Sequence, residues 1–268
     1  MVSFPPCKIN LGLHVIARRP DGYHDISTCF YPIPWTDVLE ILPDKELNFT
    51  QTGIPIPGNI QDNLCLKAYH LLKKDFSLPR IQIHLHKIIP TGAGLGGGSS
   101  DAAHTLRSLN TIFQLKFSQE QLMDYALRLG SDSPLFILDG PMIGAGRGEL
   151  LTPAGVDLKG FYLVILTPDI HVSTAEAYAG VTPDIPQKSI LQVINQPLTS
   201  WRSTLTNDFE SSIFKKYPVI QAMKERLYSN GAIYASMSGS GASVFGIFEK
   251  EIRTENLFKD VQHWSGWL

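Results

Sequence analysis

The stretch from Pro90 to Ala103, PTGAGLGGGSSDAA, limits what this chain can fold into more than any other segment. Five of the seven positions from Gly92 to Gly98 are glycine. A run that dense forfeits backbone entropy on folding and adds almost nothing to a core, so something else must compensate. Its flanks suggest what. Ile81 to Lys87 (IQIHLHK) alternates apolar and polar residues and predicts a strand. From Ser99 the pattern turns helical, with Ala102, Ala103, Leu106, Leu109 and Phe113 in one apolar stripe. A glycine loop between a strand and a helix N-terminus is where anions bind. Free backbone N–H groups and the positive end of the helix dipole converge there, and glycine lets a ligand approach the backbone. Gly92 to Ser100 fits that plan, with Ser99 and Ser100 adding hydroxyl donors; the competing reading is a flexible turn that binds nothing.

Three familiar nucleotide motifs fail on context. Gly92-x-Gly94-x-x-Gly97 matches the dinucleotide pattern, but the loop lies in mid-chain. The first acid at a suitable distance, Glu120, begins a predicted helix instead of ending a strand. A Walker A loop needs lysine and then Ser or Thr after its last glycine, and here Ser99 follows Gly98 directly. A protein-kinase loop carries its lysine on the next strand, and here a helix follows.

The rest of the chain predicts an α+β architecture, because strands and helices mix without strict βα alternation. Lys8 to Val15 alternates, with Ile9, Leu11, Leu13 and Val15 on one face and Lys8, Asn10, Gly12 and His14 on the other: a half-buried strand. Arg18 to Tyr23 (RRPDGY) is a turn leading to a further apolar stretch that ends at Ile33. Asp37 to Leu42 and Leu47 to Thr50 read as strands, and Asn63 to Lys74 as a helix. Ser118 and Gln121 form a capping box for a helix ending at Gly130. Phe161 to Thr167 (FYLVILT) is a buried strand, expected to open a second domain after the Pro153-Ala154-Gly155 turn. Helices follow near Glu176, Ile190 and Val219, then a glycine-serine turn from Ala235 to Gly241 and a strand from Ser243 to Phe248.

Composition narrows the partners. Of 268 residues, 43% are hydrophobic and 18% charged, which suits a chain with a sizeable core. A net charge of −2 offers no basic footprint for nucleic acid, and no polybasic cluster or long apolar run points to a membrane. The N-terminus lacks the basic and apolar regions of a signal peptide, so a cytoplasmic protein is expected. Cys7, Cys29 and Cys65 are odd in number and widely spaced, predicting neither a disulfide framework nor a zinc site. His84 and His86 share a strand face but lack a third ligand, and read as exposed or satisfied within the core.

PTGAGLGGGSSDAA resembles the second motif of the GHMP kinases, named for galactokinase, homoserine kinase, mevalonate kinase and phosphomevalonate kinase. Three further segments fit in order: PCKINLGLHVIARRPDGYHDI (Pro6 to Ile26), LGSDSPLFI (Leu129 to Ile137) and SMSGSGASVFGIF (Ser236 to Phe248). The first of these, with Lys-Ile-Asn-Leu and Pro-Asp-Gly-Tyr-His, is similar to one branch whose acceptor is a cytidine diphosphate ester in non-mevalonate isoprenoid synthesis. The resemblance implies a two-domain fold with the active site in the inter-domain cleft. Residues 1–152 would be the N-terminal ATP-binding domain and residues 153–268 the C-terminal domain.

It also implies roles. Pro90, Thr91, Gly92, Ala93, Gly94, Leu95, Gly96, Gly97, Gly98, Ser99 and Ser100 would cradle the phosphates of ATP. Lys8, otherwise readable as an edge-strand lysine facing solvent, would reach the γ-phosphate, with Asn10 beside it. Asp132, otherwise a helix N-cap ahead of Pro134, would be the general base paired with Lys8. Tyr23 and His24 would recognise cytosine, with Tyr178, from the other domain, as a second stacking platform. Mg2+ is implied by ATP chemistry, with Ser99 as its candidate ligand. Asp101 reads either as a first-turn aspartate on the helix dipole or as a complement to magnesium. Two rivals remain open: another GHMP kinase, for homoserine or a sugar, and a catalytically dead nucleotide-binding regulator.

Overall fold

The strand that feeds the glycine loop, Ile81–Lys87, lies inside a four-stranded sheet ordered Val2–Ser3, Val38–Pro43, Ile81–Lys87, Asn48–Gly53. It runs antiparallel to Val38–Pro43, with Leu85 opposite Leu39 and Ile83 opposite Ile41. It runs parallel to the edge strand Asn48–Gly53. Ile81, Ile83 and Leu85 are fully buried, as the alternation predicts. Each such side chain stabilises the fold by roughly 1.5–3 kcal/mol relative to an exposed one. The computed structural model describes residues 1–268, the side chain of Asn256 excepted.

The helices Leu64–Asp75, Gly97–Ile112 and Gln119–Leu127 belong with this sheet. Asn63 caps the first by accepting the Cys65 N–H at 2.9 Å. Ser118 and Gln121 form the predicted reciprocal capping box, and their helix ends at Leu127, three residues before Gly130. Together with Met1–Cys7 these elements make one compact unit, covering Met1–Cys7, Trp35–Thr91 and Gly96–Asp139.

The second unit covers Lys8–Pro34, Gly92–Leu95 and Gly140–Leu268, so the two units interleave along the chain. One of its sheets is ordered Pro6–Arg18, His24–Thr36, Met142–Ala145, Leu150–Pro153; the other, Tyr234–Met237, Val244–Phe248, Tyr162–Thr167, Gln262–Trp267. Every residue of Tyr162–Thr167 is buried. Val164 and Leu166 pack in one core with Leu13, Val15, Phe209, Ile213, Ile220 and Leu227. With 32% helix and 29% strand, the chain is α+β.

Three local expectations change. Pro6–Arg18 is a strand, but it is buried on both faces instead of one, because Lys8, Asn10 and His14 find polar partners inside the protein. Ala235 to Met237 is strand, not turn: Tyr234–Met237 pairs with Val244–Phe248, and the chain reverses only at Ser238–Gly241. The glycine-loop helix starts at Gly97, so Asp101 sits in its second turn, beyond the groups that interact with the dipole.

Candidate active site

The glycine loop is shaped by backbone geometry that only some of its glycines need. Gly92, Gly94 and Gly96 have φ of +65°, +78° and +72°, a region that glycine enters without strain. At Gly94 space is forbidden as well, since a Cβ would collide with the Ser238 carbonyl oxygen. The C-terminal glycine-serine turn thus pins the loop. Ser238 Oγ donates to the Gly94 carbonyl at 2.9 Å, and the Ser243 N–H donates to the Ala93 carbonyl at 3.2 Å. Gly96 then serves as a left-handed N-cap with no side-chain cap bond. The opening N–H groups of Gly97–Ile112 have no partner within the helix and carry the positive end of its dipole. That is an anion-accepting terminus.

Lys8 comes to this loop from 86 residues upstream. It is 3% exposed, which overturns the solvent-facing reading. Its Nζ donates to Asn10 Oδ1 at 2.6 Å and to the Gly94 carbonyl at 3.0 Å, while its own backbone N–H donates to the Leu95 carbonyl at 2.9 Å. Asn10 is oriented in turn, Nδ2 donating to Thr28 Oγ1 at 2.9 Å. Lys8, Asn10 and Gly94 therefore lie together, joined by hydrogen bonds.

Asp132 stands at the N-cap position of the short 3-10 helix Ser133–Ile137, but its side chain makes no capping bond. The capping role is corrected on that point. Ser133 N–H bonds the Gly130 carbonyl at 3.1 Å, giving the segment a tight turn. A Cβ on Gly130 would lie 3.4 Å from Ser133 Oγ and 3.8 Å from Ser99 Oγ, so Ser99 rests against the turn that carries Asp132.

Tyr23, His24 and Tyr178 lie in one unit. Tyr23 is 56% exposed. The His24 and Tyr178 rings stack, with centroids 4.6 Å apart and planes 16° from parallel. Phe209 meets the Tyr178 ring edge-on at 4.9 Å. The His24 and Tyr178 rings therefore pack on one another, each covering part of one face of the other.

Asp101 has a partner the sequence reading did not supply. Lys87 Nζ bonds Asp101 Oδ2 at 2.8 Å and also bonds Asp37. Asp37 Oδ1 accepts the backbone N–H groups of Ile88 at 2.6 Å and Ile89 at 2.8 Å. This buried cluster fixes the chain at both sides of the glycine loop. Burial raises the Asp101 carboxyl to about 7, with Lys87 opposing. Burial alone would lower the Lys87 ammonium, but the Asp101 and Asp37 carboxylates outweigh it and raise it. The signal was present in the strand's own alternation: Lys87 falls in phase with Ile81, Ile83 and Leu85, on the core face.

For a metal, the donor set is sparse. Among the described residues no group of three or more His, Cys, Asp or Glu could hold an ion. His84 Nε2 and His86 Nδ1 instead both bond Thr52 Oγ1 at 2.9 Å. Ser100 Oγ and Ser133 Oγ are buried without a hydrogen-bond partner, and Ser99 is nearby in chain and space. Such a set fits a magnesium ion that takes most of its ligands from phosphate and water, not one held in a protein cage. Cys7, Cys29 and Cys65 are all buried, and burial pushes the Cys29 thiol up to about 12 and raises the Cys65 thiol, so neither of these two is a poised nucleophile.

Residues 63–140 match the GHMP kinases N terminal domain and residues 190–264 the GHMP kinases C terminal domain. The chain belongs to the GHMP kinases, a family of ATP-using phosphotransferases. Its relatives sharpen that placement. It is 52% identical over 255 residues to the 4-diphosphocytidyl-2-C-methyl-D-erythritol kinase of Cytophaga hutchinsonii, covering 95% of this chain and 94% of that one. It is 47% identical over 270 residues to the enzyme of the same name from Parabacteroides distasonis, covering 100% of both. A crystal structure of a 4-(cytidine 5'-diphospho)-2C-methyl-D-erythritol kinase superposes with a TM-score of 0.83 at 30% identity, covering 99% of this chain and 98% of that one. The mevalonate kinase of Methanococcus jannaschii, at 17% identity and a TM-score of 0.72, shares the fold, covering 99% of this chain and 97% of that one. No helix among the described residues is long and apolar enough to cross a membrane.

Proposed function

We propose that this chain transfers the γ-phosphoryl group of ATP to the 2-hydroxyl of 4-diphosphocytidyl-2-C-methyl-D-erythritol. The observation that carries the chemistry is the Lys8 ammonium held at the Gly94 carbonyl of an uncapped, anion-accepting loop. The choice of acceptor rests on the near-full-length relatives of that name and on Tyr23-His24.

Phosphoryl transfer needs a held γ-phosphate, neutralised charge and a positioned hydroxyl. Pro90 sets the start of the loop, and Thr91 to Ser100 hold the phosphates through backbone N–H groups and the Ser99 and Ser100 hydroxyls. Lys8, kept in place by Asn10, neutralises charge on the transferred group. Asp132 orients the acceptor hydroxyl and takes its proton as the new O–P bond forms and the bond to the departing ADP oxygen breaks. A carboxylate is a weak base toward an alcohol, so positioning and electrostatics supply more of the rate than proton removal does. Magnesium, arriving on ATP with Ser99 as its protein ligand, would draw off charge from the phosphate oxygens. Tyr23, His24 and Tyr178 hold the cytosine by stacking and hydrogen bonding.

The test is an ADP-release assay against the cytidyl ester, homoserine, mevalonate and galactose. Turnover is expected with the cytidyl ester alone; turnover with another acceptor would reassign the substrate. Asp132→Asn should lower kcat by about 10²–10⁴-fold while ATP binding, read by titration, changes less than about twofold. A variant with near-normal kcat would remove Asp132 from the chemistry.

A further inference from the structure

The hairpin formed by Met142–Ala145 and Leu150–Pro153 turns through Gly146, Arg147, Gly148 and Glu149. Its tip is fastened twice. The Gly146 carbonyl accepts the Ile26 N–H at 2.7 Å, two residues past His24. The Arg147 N–H donates to Glu149 Oε2 at 2.6 Å, and Arg147 Nε lies 3.6 Å from Glu149 Oε1. Both the backbone and the side chain of Arg147 are therefore held.

What they hold it against is Tyr23. The Arg147 guanidinium carbon lies 4.9 Å from the centroid of the Tyr23 ring, within cation–π range. The turn that carries Tyr23 is tied locally: its N–H bonds Asp21 Oδ1 at 3.1 Å, and its carbonyl accepts the Arg19 N–H at 2.8 Å. Tyr23 as a whole residue is 56% exposed. An exposed tyrosine ordinarily samples several rotamers, and a ligand that stacks on it must pay for freezing them. A guanidinium fixed on one face removes that freedom beforehand and leaves the opposite face for a ligand.

We propose that Arg147 is a positioning residue that determines acceptor affinity: it holds the Tyr23 ring ready to stack with the pyrimidine of the nucleotide acceptor. The inference rests on the reading of Tyr23 given above and adds to it a residue with no assigned role. Arg147 acts through Tyr23, so its effect falls on binding of the acceptor and not on ATP or the phosphoryl step.

The experiment is steady-state kinetics on Arg147→Ala, Arg147→Lys, Tyr23→Ala and the Tyr23→Ala/Arg147→Ala double variant. Arg147→Ala should raise KM for the cytidyl substrate about three- to tenfold, with kcat and KM for ATP within about twofold. Arg147→Lys keeps a cation near the ring and should restore part of the loss. The double variant should be no worse than Tyr23→Ala. If Tyr23→Ala raises acceptor KM and Arg147→Ala does not, Arg147 only shapes the turn and the inference fails alone. If neither variant moves acceptor KM, the reading of Tyr23 fails with it. Equal losses for ATP and acceptor would mark a general structural defect and overturn the proposal. Should the alanine variant fold poorly, Arg147→Gln removes the cation while keeping most of the stem and supplies the same readout.

Discussion

The glycine loop has two halves that are glycine for different reasons. Gly92, Gly94 and Gly96 adopt positive φ, and at Gly94 a side chain would meet backbone from the C-terminal turn. Gly97 and Gly98 are ordinary helical residues, where alanine would usually be better. A Cβ on Gly97 would lie 3.0 Å from both Lys87 Nζ and Ile89 Cγ2. On Gly98 it would lie 3.5 Å from Leu64 Cδ1, an ordinary contact. Folding thus demands glycine at the start of the loop, tolerates little else at Gly97, and makes no demand at Gly98. In the proposed function, glycine at 98 serves a phosphate that approaches the backbone.

Substitutions can break this comparison. Gly94→Ala should have the largest effect, because a left-handed φ and a collision with a carbonyl oxygen cannot both be relieved. We expect destabilisation of about 1–3 kcal/mol in denaturant melts and at least about a tenfold rise in KM for ATP. A native-like variant would mean the loop relaxes freely. Gly97→Ala sets a helix-propensity gain of about 1 kcal/mol against crowding of a lysine that two carboxylates hold in place. Crowding should win, giving a net loss of about 1 kcal/mol, and a stabilised variant would show that Lys87 can yield.

Gly98→Ala separates folding from binding. The protein should gain a few tenths to about 1 kcal/mol of stability, while KM for ATP rises. Greater stability with unchanged KM would end the phosphate cradle before Gly98.

The smallest effect probes the helical half through pH. His104 Nδ1 donates to the Ser100 carbonyl at 3.0 Å, and burial holds the imidazole below its ordinary 6.5. The unfolded chain therefore takes up this proton first, and stability is lost as pH falls below about 6.5. His104→Gln should flatten that part of the curve, read as the difference in melting between the two proteins from pH 7.5 to 5. Parallel curves would mean the histidine is not held neutral.

Much of the fold was legible. Alternation in Ile81–Lys87, the Ser118–Gln121 box and the apolar run Tyr162–Thr167 are local patterns, and each specifies its own element. The candidate site was legible only as residue types at known places. Lys8 looked like an edge residue because an alternating strand cannot show that its polar face will also be covered. Asp101 looked like a dipole partner because Lys87 and Asp37 reach it across 14 and 64 positions of chain. Arg147 gave no local signal at all, since its contact with Tyr23 exists only once a hairpin 124 residues on is fastened at Ile26.

The sequence by itself determined where a phosphate could bind, since the backbone freedom of glycine and the start of a helix are properties of neighbouring residues. Tertiary structure alone decided what surrounds that loop: an ammonium at the Gly94 carbonyl, a serine turn closing on the same atom, and a buried lysine between two aspartates. Those are long-range pairings, chosen by the desolvation of charged groups and the packing of sheets. The ends of these pairings lie from 14 to 144 positions apart along the chain, beyond the reach of any turn or strand pattern.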